Sequence, residues 1–116
     1  MKKDKLPFQI GKHYENWEFD LEVLNFERVK WLDSFQYVKS IMALGEQTKY
    51  VEMIFCWDIL VVVILVFEEI KDFNNNFLIS KKVKIKILHL NDSTYLIYGK
   101  EKHLEHIINS LINNKL

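Results

Sequence analysis

Four histidines, a lone cysteine and two runs of like charge are the side chains in this sequence whose types could do chemistry. His103 and His106 stand three apart, which on a helix puts both on one face. Zinc requires three or four ligands, so Glu101 or the distant His89 would have to complete the set. Neither a Cys-x-x-Cys nor a His-Glu-x-x-His accompanies the pair, and it is read as solvated positions on a helix. His13 and His89 could share acid–base work in the manner of a ribonuclease, a chemistry that needs both in one cleft. Cys56 lies in an apolar run with no basic residue or helix start beside it, the setting of a small buried hydrophobe. No catalytic, cofactor or metal motif emerges, so the chain is read as a non-enzyme without a cofactor.

The charged runs carry more information. Lys81, Lys82, Lys84 and Lys86 form a basic cluster that Lys100 and Lys102 could join, and such a cluster can touch phosphate. It lacks the interleaved aromatics used for stacking on single strands. Lysines also guard an edge strand against aggregation, and that reading suits the alternation of Lys84 and Lys86 with Val83, Ile85 and Ile87. From Tyr14 to Glu27 there are five acids and no lysine or arginine. Within this stretch Trp17 to Val23 alternates apolar and acidic residues, the period of a strand. Such a strand would put Trp17, Phe19, Leu21 and Val23 on one side and Glu18, Asp20 and Glu22 on the other. The acids would be a solvated outer face or, flanked as they are by aromatics, a protein–protein interface. The interface reading assigns partner contacts to Tyr14, Glu15, Trp17, Glu18, Asp20 and Glu22.

The elements that must position these residues follow from composition and period. A chain of 116 residues with 49% hydrophobic and 14% aromatic content can bury one core, and a single domain is expected over 1–116. Sixteen basic and sixteen acidic residues cancel, which removes the general electrostatic case for nucleic-acid binding. A single cysteine excludes an internal disulfide and suits a reducing compartment, and the basic start leads into no apolar signal segment. The longest charge-free apolar run, Ile59 to Phe67, has nine residues where a spanning helix needs about 20. No membrane segment is expected. Its β-branched residues indicate a strand covered on both faces.

Around it, Tyr50 to Cys56, Val83 to Leu90 and Thr94 to Tyr98 read as strands, with turns at Trp57-Asp58 and Asn91-Asp92-Ser93. Leu6, Phe8 and Ile10 could add an edge strand. Asp72 to Asn76 is a loop, Leu24-Asn25 a turn, and Phe26 to Leu32 fits either a strand with Val29 and Trp31 inward or the first turns of a helix, which leaves residues 24 to 33 open between strand and helix. Ser34 as N-cap, Phe35, Val38, Ile41 and Met42 at spacings of three and four, and Gly45 as a stop predict a mid-chain helix. Gly99 is expected to break the last strand. Leu104, Ile107, Ile108, Leu111 and Ile112 predict a closing amphipathic helix. The expectation is α+β: an antiparallel sheet of four to six strands with the mid-chain and C-terminal helices on one face.

At Tyr14-Glu15-Asn16-Trp17-Glu18-Phe19-Asp20-Leu21-Glu22, and again at Ile54-Phe55-Cys56-Trp57-Asp58-Ile59-Leu60, the chain resembles small bacterial immunity proteins. These are the antitoxins of contact-dependent growth inhibition and related polymorphic toxin systems. The likeness covers about half the chain and is of general character, that of a short α+β domain, low in Gly and Pro, with an acidic-aromatic segment. It implies a non-enzymatic inhibitor in the bacterial cytoplasm whose partner is a cognate toxin domain, often a nuclease, and it transfers no individual residue role. The alternative reading is a self-associating or scaffold domain of a mobile element.

Overall fold

Nine consecutive apolar residues, mostly β-branched, make Ile59–Phe67 the natural centre of a sheet, and that is where the chain puts them. The computed structural model describes residues 4–24, 26–73, 77–78 and 82–113. In chain order the strands are β1 (Asp4–Lys5), β2 (Leu21–Val23), β3 (Asp33–Tyr37), β4 (Met42–Ala43), β5 (Glu46–Gln47) and β6 (Tyr50–Cys56). They continue with β7 (Ile59–Phe67), β8 (Phe77–Leu78), β9 (Val83–Leu90) and β10 (Ser93–Lys100), and helix α1 spans Glu101–Asn113. Six strands form one antiparallel sheet in the order β2-β3-β6-β7-β10-β9. β4 and β5 make a small separate hairpin, and β1 pairs parallel with β8.

The alternation of side chains divides the core in two. Val63, Leu65 and Phe67 of β7 join Met53, Phe55, Leu96 and Tyr98 under the N-terminal segment and the β4–β5 hairpin. Val62, Ile64 and Val66 join Ile54 and Ile97 under α1 and the segment around Val29 and Leu32. A residue run buried on both faces needs no polar alternation, so β7 has none. The stripe of α1 faces the sheet as its period demands, with Leu104, Ile107 and Leu111 buried.

Two tight hairpins set the register. Cys56 pairs with Ile59 across Trp57-Asp58, and Leu90 pairs with Ser93 across Asn91-Asp92. All four turn residues have positive φ, which identifies type I′ turns, whose twist matches that of the flanking strands. Between Ile54 and Phe55 the register with β7 shifts by one residue, leaving Val61 as a bulge.

The antiparallel sheet and closing helix agree with the expectation; the mid-chain helix does not. Residues 33–37 are β3, and 42–47 are the β4–β5 hairpin turning on Leu44 and Gly45, both at positive φ. Phe35 and Tyr37 sit two apart on one face of β3, packed on the first core, and that strand period overrides the looser helical spacing. Ser34 caps nothing: it is buried in β3 with its Oγ unpaired. Residues 26–32 form neither strand nor helix but a run of bends and turns. Gly99 does not end its strand, which runs on to Lys100. Leu6, Phe8 and Ile10 pack on the first core without joining the large sheet. Asn25, residues 74–76 and Lys81 lie outside the described residues, so the Leu24-Asn25 turn and the full Asp72–Asn76 loop do too.

Phe8 is held by Tyr98, whose hydroxyl accepts from the Phe8 amide at 3.0 Å and donates to its carbonyl at 2.8 Å. Burial pushes the Tyr98 hydroxyl well above the ordinary tyrosine range, and burial followed by the Glu52 charge does the same to Tyr50. Folded values above the unfolded one of about 10 mean that this stability is whole below about pH 10 and is lost as pH rises through the folded values. Circular dichroism during alkaline titration should therefore show unfolding begin above about pH 10. Tyr98→Phe should flatten that profile while costing about 1–3 kcal/mol at neutral pH, since it strands both Phe8 backbone groups. An unchanged alkaline profile in that variant would refute the assignment.

Candidate partner interface

The acidic stretch is not the strand its alternation suggests. Tyr14–Asn16 and Glu18–Asp20 are two short 3-10 turns, and only Leu21–Val23 extends, as edge strand β2. Tyr14, Trp17 and Leu21 turn inward, a spacing of three and four that competes with the two-residue alternation and wins. Tyr14 packs against Phe35 and Phe55, with ring centroids 5.3 and 5.5 Å away, and Trp17 lies against Phe8 and Phe55. The backbone pins this strap at both ends: the Tyr14 amide donates to Asp58 at 2.7 Å and the Val38 amide to Asp20 at 2.8 Å. His13 caps the first turn by accepting from the Glu15 amide.

The six residues assigned to partner contact thus fall into two groups. Glu15, Glu18 and Glu22 are exposed, and Asp20 is half-buried with its carboxylate 3.3 Å from Lys39. Tyr14 and Trp17 are half-buried against the core, which limits what they can offer a partner. Phe19 and Val23, which the alternation would turn inward, are 93% and 77% exposed beside the acids.

A second group of exposed aromatics is one that the sequence pattern does not bring out. Trp57, at the tip of the β6–β7 hairpin, is 91% exposed, and Trp31 is 83% exposed. Asp33 pairs with Phe55, and each tryptophan lies two residues beyond its member of that pair, toward the same end of the sheet. The strand reading of Phe26 to Leu32 would point Trp31 inward with Val29. Its φ of 76° turns the backbone over instead, sending Leu32 into the core and the indole outward. The signal available in the sequence is weak: a tryptophan in a two-residue turn position, Trp57-Asp58, where Asn or Gly is usual.

The loop that carries Trp31 is fastened from below. Arg28 reaches the carboxylate of Glu52 on β6 with two bonds, Nε to Oε2 at 2.6 Å and the terminal nitrogen to Oε1 at 2.8 Å. Glu52 is fully buried and takes a third bond from the Tyr50 hydroxyl at 3.1 Å. Burial alone would lower the Arg28 pKa; hydrogen bonding to Glu52 and its charge outweigh that and raise it. The Arg28 carbonyl accepts from Ser110 of α1, and the Glu27 carboxylate accepts from the Trp31 amide at 3.1 Å. Sheet, loop and helix are thereby tied at one residue.

Comparison with family models, curated proteins and solved structures finds no match. What the arrangement can do chemically must come from its own groups. His13 bridges to Ile59 at the start of β7, and His89 lies in register with Thr94, which faces Phe67 at its end. Eight residues of strand separate those levels, about 26 Å, so the two histidines do not share a cleft. His89 instead lies 3.2 Å from the Lys71 carbonyl. His103 and His106 remain on α1, where burial first and then Lys102, Lys100 and His106 lower the His103 pKa. Among the described residues no three His, Cys, Asp or Glu side chains are grouped to hold a metal ion. No helix among them is long and apolar enough to cross a membrane. Cys56 is half-buried at the end of β6.

The charges are sorted across the sheet. Glu22 lies on edge strand β2 and Glu15, Glu18 and Asp20 on the strap that leads into it, while exposed Lys84 and Lys86 lie on β9 at the opposite edge, with Lys100 ending the adjacent β10 and Lys102 in the first turn of α1. That position for β9 is the one the lysine-guarded edge reading requires.

Proposed function

We propose that this protein is a non-enzymatic inhibitor of the immunity type, which binds a cognate toxin domain and blocks it through its acidic edge. The observation that carries this reading is the exposure of Glu15, Glu18 and Glu22 along the strap that runs from the β6–β7 hairpin into edge strand β2, beside the exposed apolar side chains of Phe19 and Val23. A nucleic-acid-cleaving domain presents a basic groove, and carboxylates can occupy it in place of phosphates. Complementary charge raises association above the neutral range of about 10⁵–10⁶ M⁻¹s⁻¹, which suits a protein that must intercept an arriving toxin.

Affinity capture from the native host with identification by mass spectrometry tests this. A stoichiometric partner carrying a small basic toxin domain is expected. Its association rate should fall steeply with salt, and by about tenfold or more when Glu15, Glu18 and Glu22 are all changed to Lys, with the melting temperature little altered. Recovery of the chain alone would replace this reading with the self-associating one.

A further inference from the structure

We infer that Trp31 and Trp57 are the paired anchor of this interface, built to seat in an apolar pocket on a basic protein surface. The inference rests on the binding-protein reading above and names the contact that would give it affinity.

Among the described residues, three two-residue turns place both central residues at positive φ: Leu44-Gly45, Trp57-Asp58 and Asn91-Asp92. Asn91 is a side chain that tolerates this conformation at little cost. Leu44 lacks that tolerance, but it is half-buried and packs on the first core. Trp57 has neither justification: at 91% exposure its indole gains almost nothing from the fold that holds its backbone left-handed. Trp31 repeats the anomaly, with φ 76° and 83% exposure, in a different loop at the same end of the sheet. Two large aromatics kept outward on strained backbone, where Asn or Gly would serve the fold better, point to a use outside the fold.

Their supports are rigid. Trp57 stands on a hairpin of the central sheet, and Trp31 is held by the Glu27 carboxylate and by a loop locked through Arg28 and Glu52. A preorganised tryptophan gives much contact area for little lost freedom, and tryptophan is enriched among residues that dominate binding. The surrounding charge selects the partner. Glu27, Asp33 and Asp58 are exposed next to the two indoles, and Glu15 follows Tyr14, whose amide is bonded to Asp58. On these segments the exposed cations are Lys30, with its Nζ 5.5 Å from the Trp31 ring centroid, and Lys12, so carboxylates outnumber them four to two there, with Lys100 ending β10 beside the start of β7.

Panning random 16-residue peptides on phage against the immobilised protein tests this without a known toxin. Synthetic copies of the selected peptides are then titrated into labelled protein by NMR. Peptides combining Lys or Arg with a large apolar residue are expected, and they should shift the indole N–H signals of Trp31 and Trp57 while leaving that of Trp17 in place. Trp31→Asn with Trp57→Asn should weaken their binding by about 30-fold or more. The same double variant should melt at or above the wild-type temperature, because Asn tolerates the left-handed backbone. Selection of no peptide, of peptides that leave both indoles unmoved, or a clear fall in melting temperature would overturn the inference. The acidic-edge reading is judged separately, by host capture with the Glu15, Glu18 and Glu22 variant, so either can fail alone.

Discussion

Arg28→Ala is expected to cost the fold about 3–5 kcal/mol, because it strands the Glu52 carboxylate in the core with one tyrosine hydroxyl for company. Glu52 is fully buried and the Arg28 side chain is 12% exposed, so neither partner of this bidentate pair has water to fall back on. Domains of this size are stable by about 5–15 kcal/mol, and a loss of that size lowers the midpoint of urea unfolding by about 1–5 M. Glu52→Ala should be comparably harmful, leaving a guanidinium enclosed. Replacing both, Arg28→Met with Glu52→Leu, should restore stability to wild type or exceed it by about 1–4 kcal/mol, since both charges then avoid desolvation. The double variant is the informative one. It should keep the fold yet loosen the Trp31 loop, lowering affinity for a partner that the intact pair helps to present. A single Arg28→Ala variant as stable as wild type would mean that the pair is solvated and does not hold the loop.

Gly99→Ala is the second large effect, and it is purely steric. Gly99 lies in β10 opposite Val62 of β7 and Lys84 of β9. A Cβ at this position would collide with the Val61 carbonyl oxygen and come within 2.8 Å of the Val62 Cα, both backbone atoms of the central strand. Val61 is the bulged residue, so the space that glycine leaves is what accommodates the extra length of β7. Overpacking usually costs about 1–3 kcal/mol, and here the obstacle is main chain that cannot rotate away, so about 3 kcal/mol or more is expected. Thermal unfolding of the variant measures it. A loss below about 1 kcal/mol would mean that β7 and β10 can part locally.

The elements with one strong signal are legible in the sequence: β7 as an unbroken apolar run, β9 by its two-residue alternation, β10 as the β-rich return across the Asn91-Asp92 turn, and α1 by its helical stripe. The two hairpins are legible because turn residues at Trp57-Asp58 and Asn91-Asp92 separate those runs. Short elements with two compatible periods are not. Residues 34–45 hold apolar side chains at helical spacing, but β3 gains sheet bonds on both sides from β2 and β6, which a helix there would forgo. Tyr14 to Val23 misleads the other way, as the inward set Tyr14, Trp17 and Leu21 prevails over a perfect alternation. The acids of the candidate interface are visible as composition. The tryptophans are not, because their outward direction depends on a positive φ, which no hydrophobic pattern records. Glu52 likewise shows only as a break in an apolar run; its partner lies 24 residues earlier in a loop without a pattern of its own.

The order of strands has a consequence for the chain as it is made. β7 and β10 are neighbours at the centre of the sheet, but β9 is synthesised between them and belongs outside both. Until residues 93–100 leave the ribosome, β7 offers nine apolar residues with one row of amides and carbonyls unmatched, the kind of edge that recruits other chains. β10 must then be laid into a gap, paired with β9 by the Asn91-Asp92 turn, before α1 can close the layer above it. A nascent chain halted near residue 90 would therefore be at its most adhesive, and survival in a crowded translating cell depends on how quickly the last hairpin folds back.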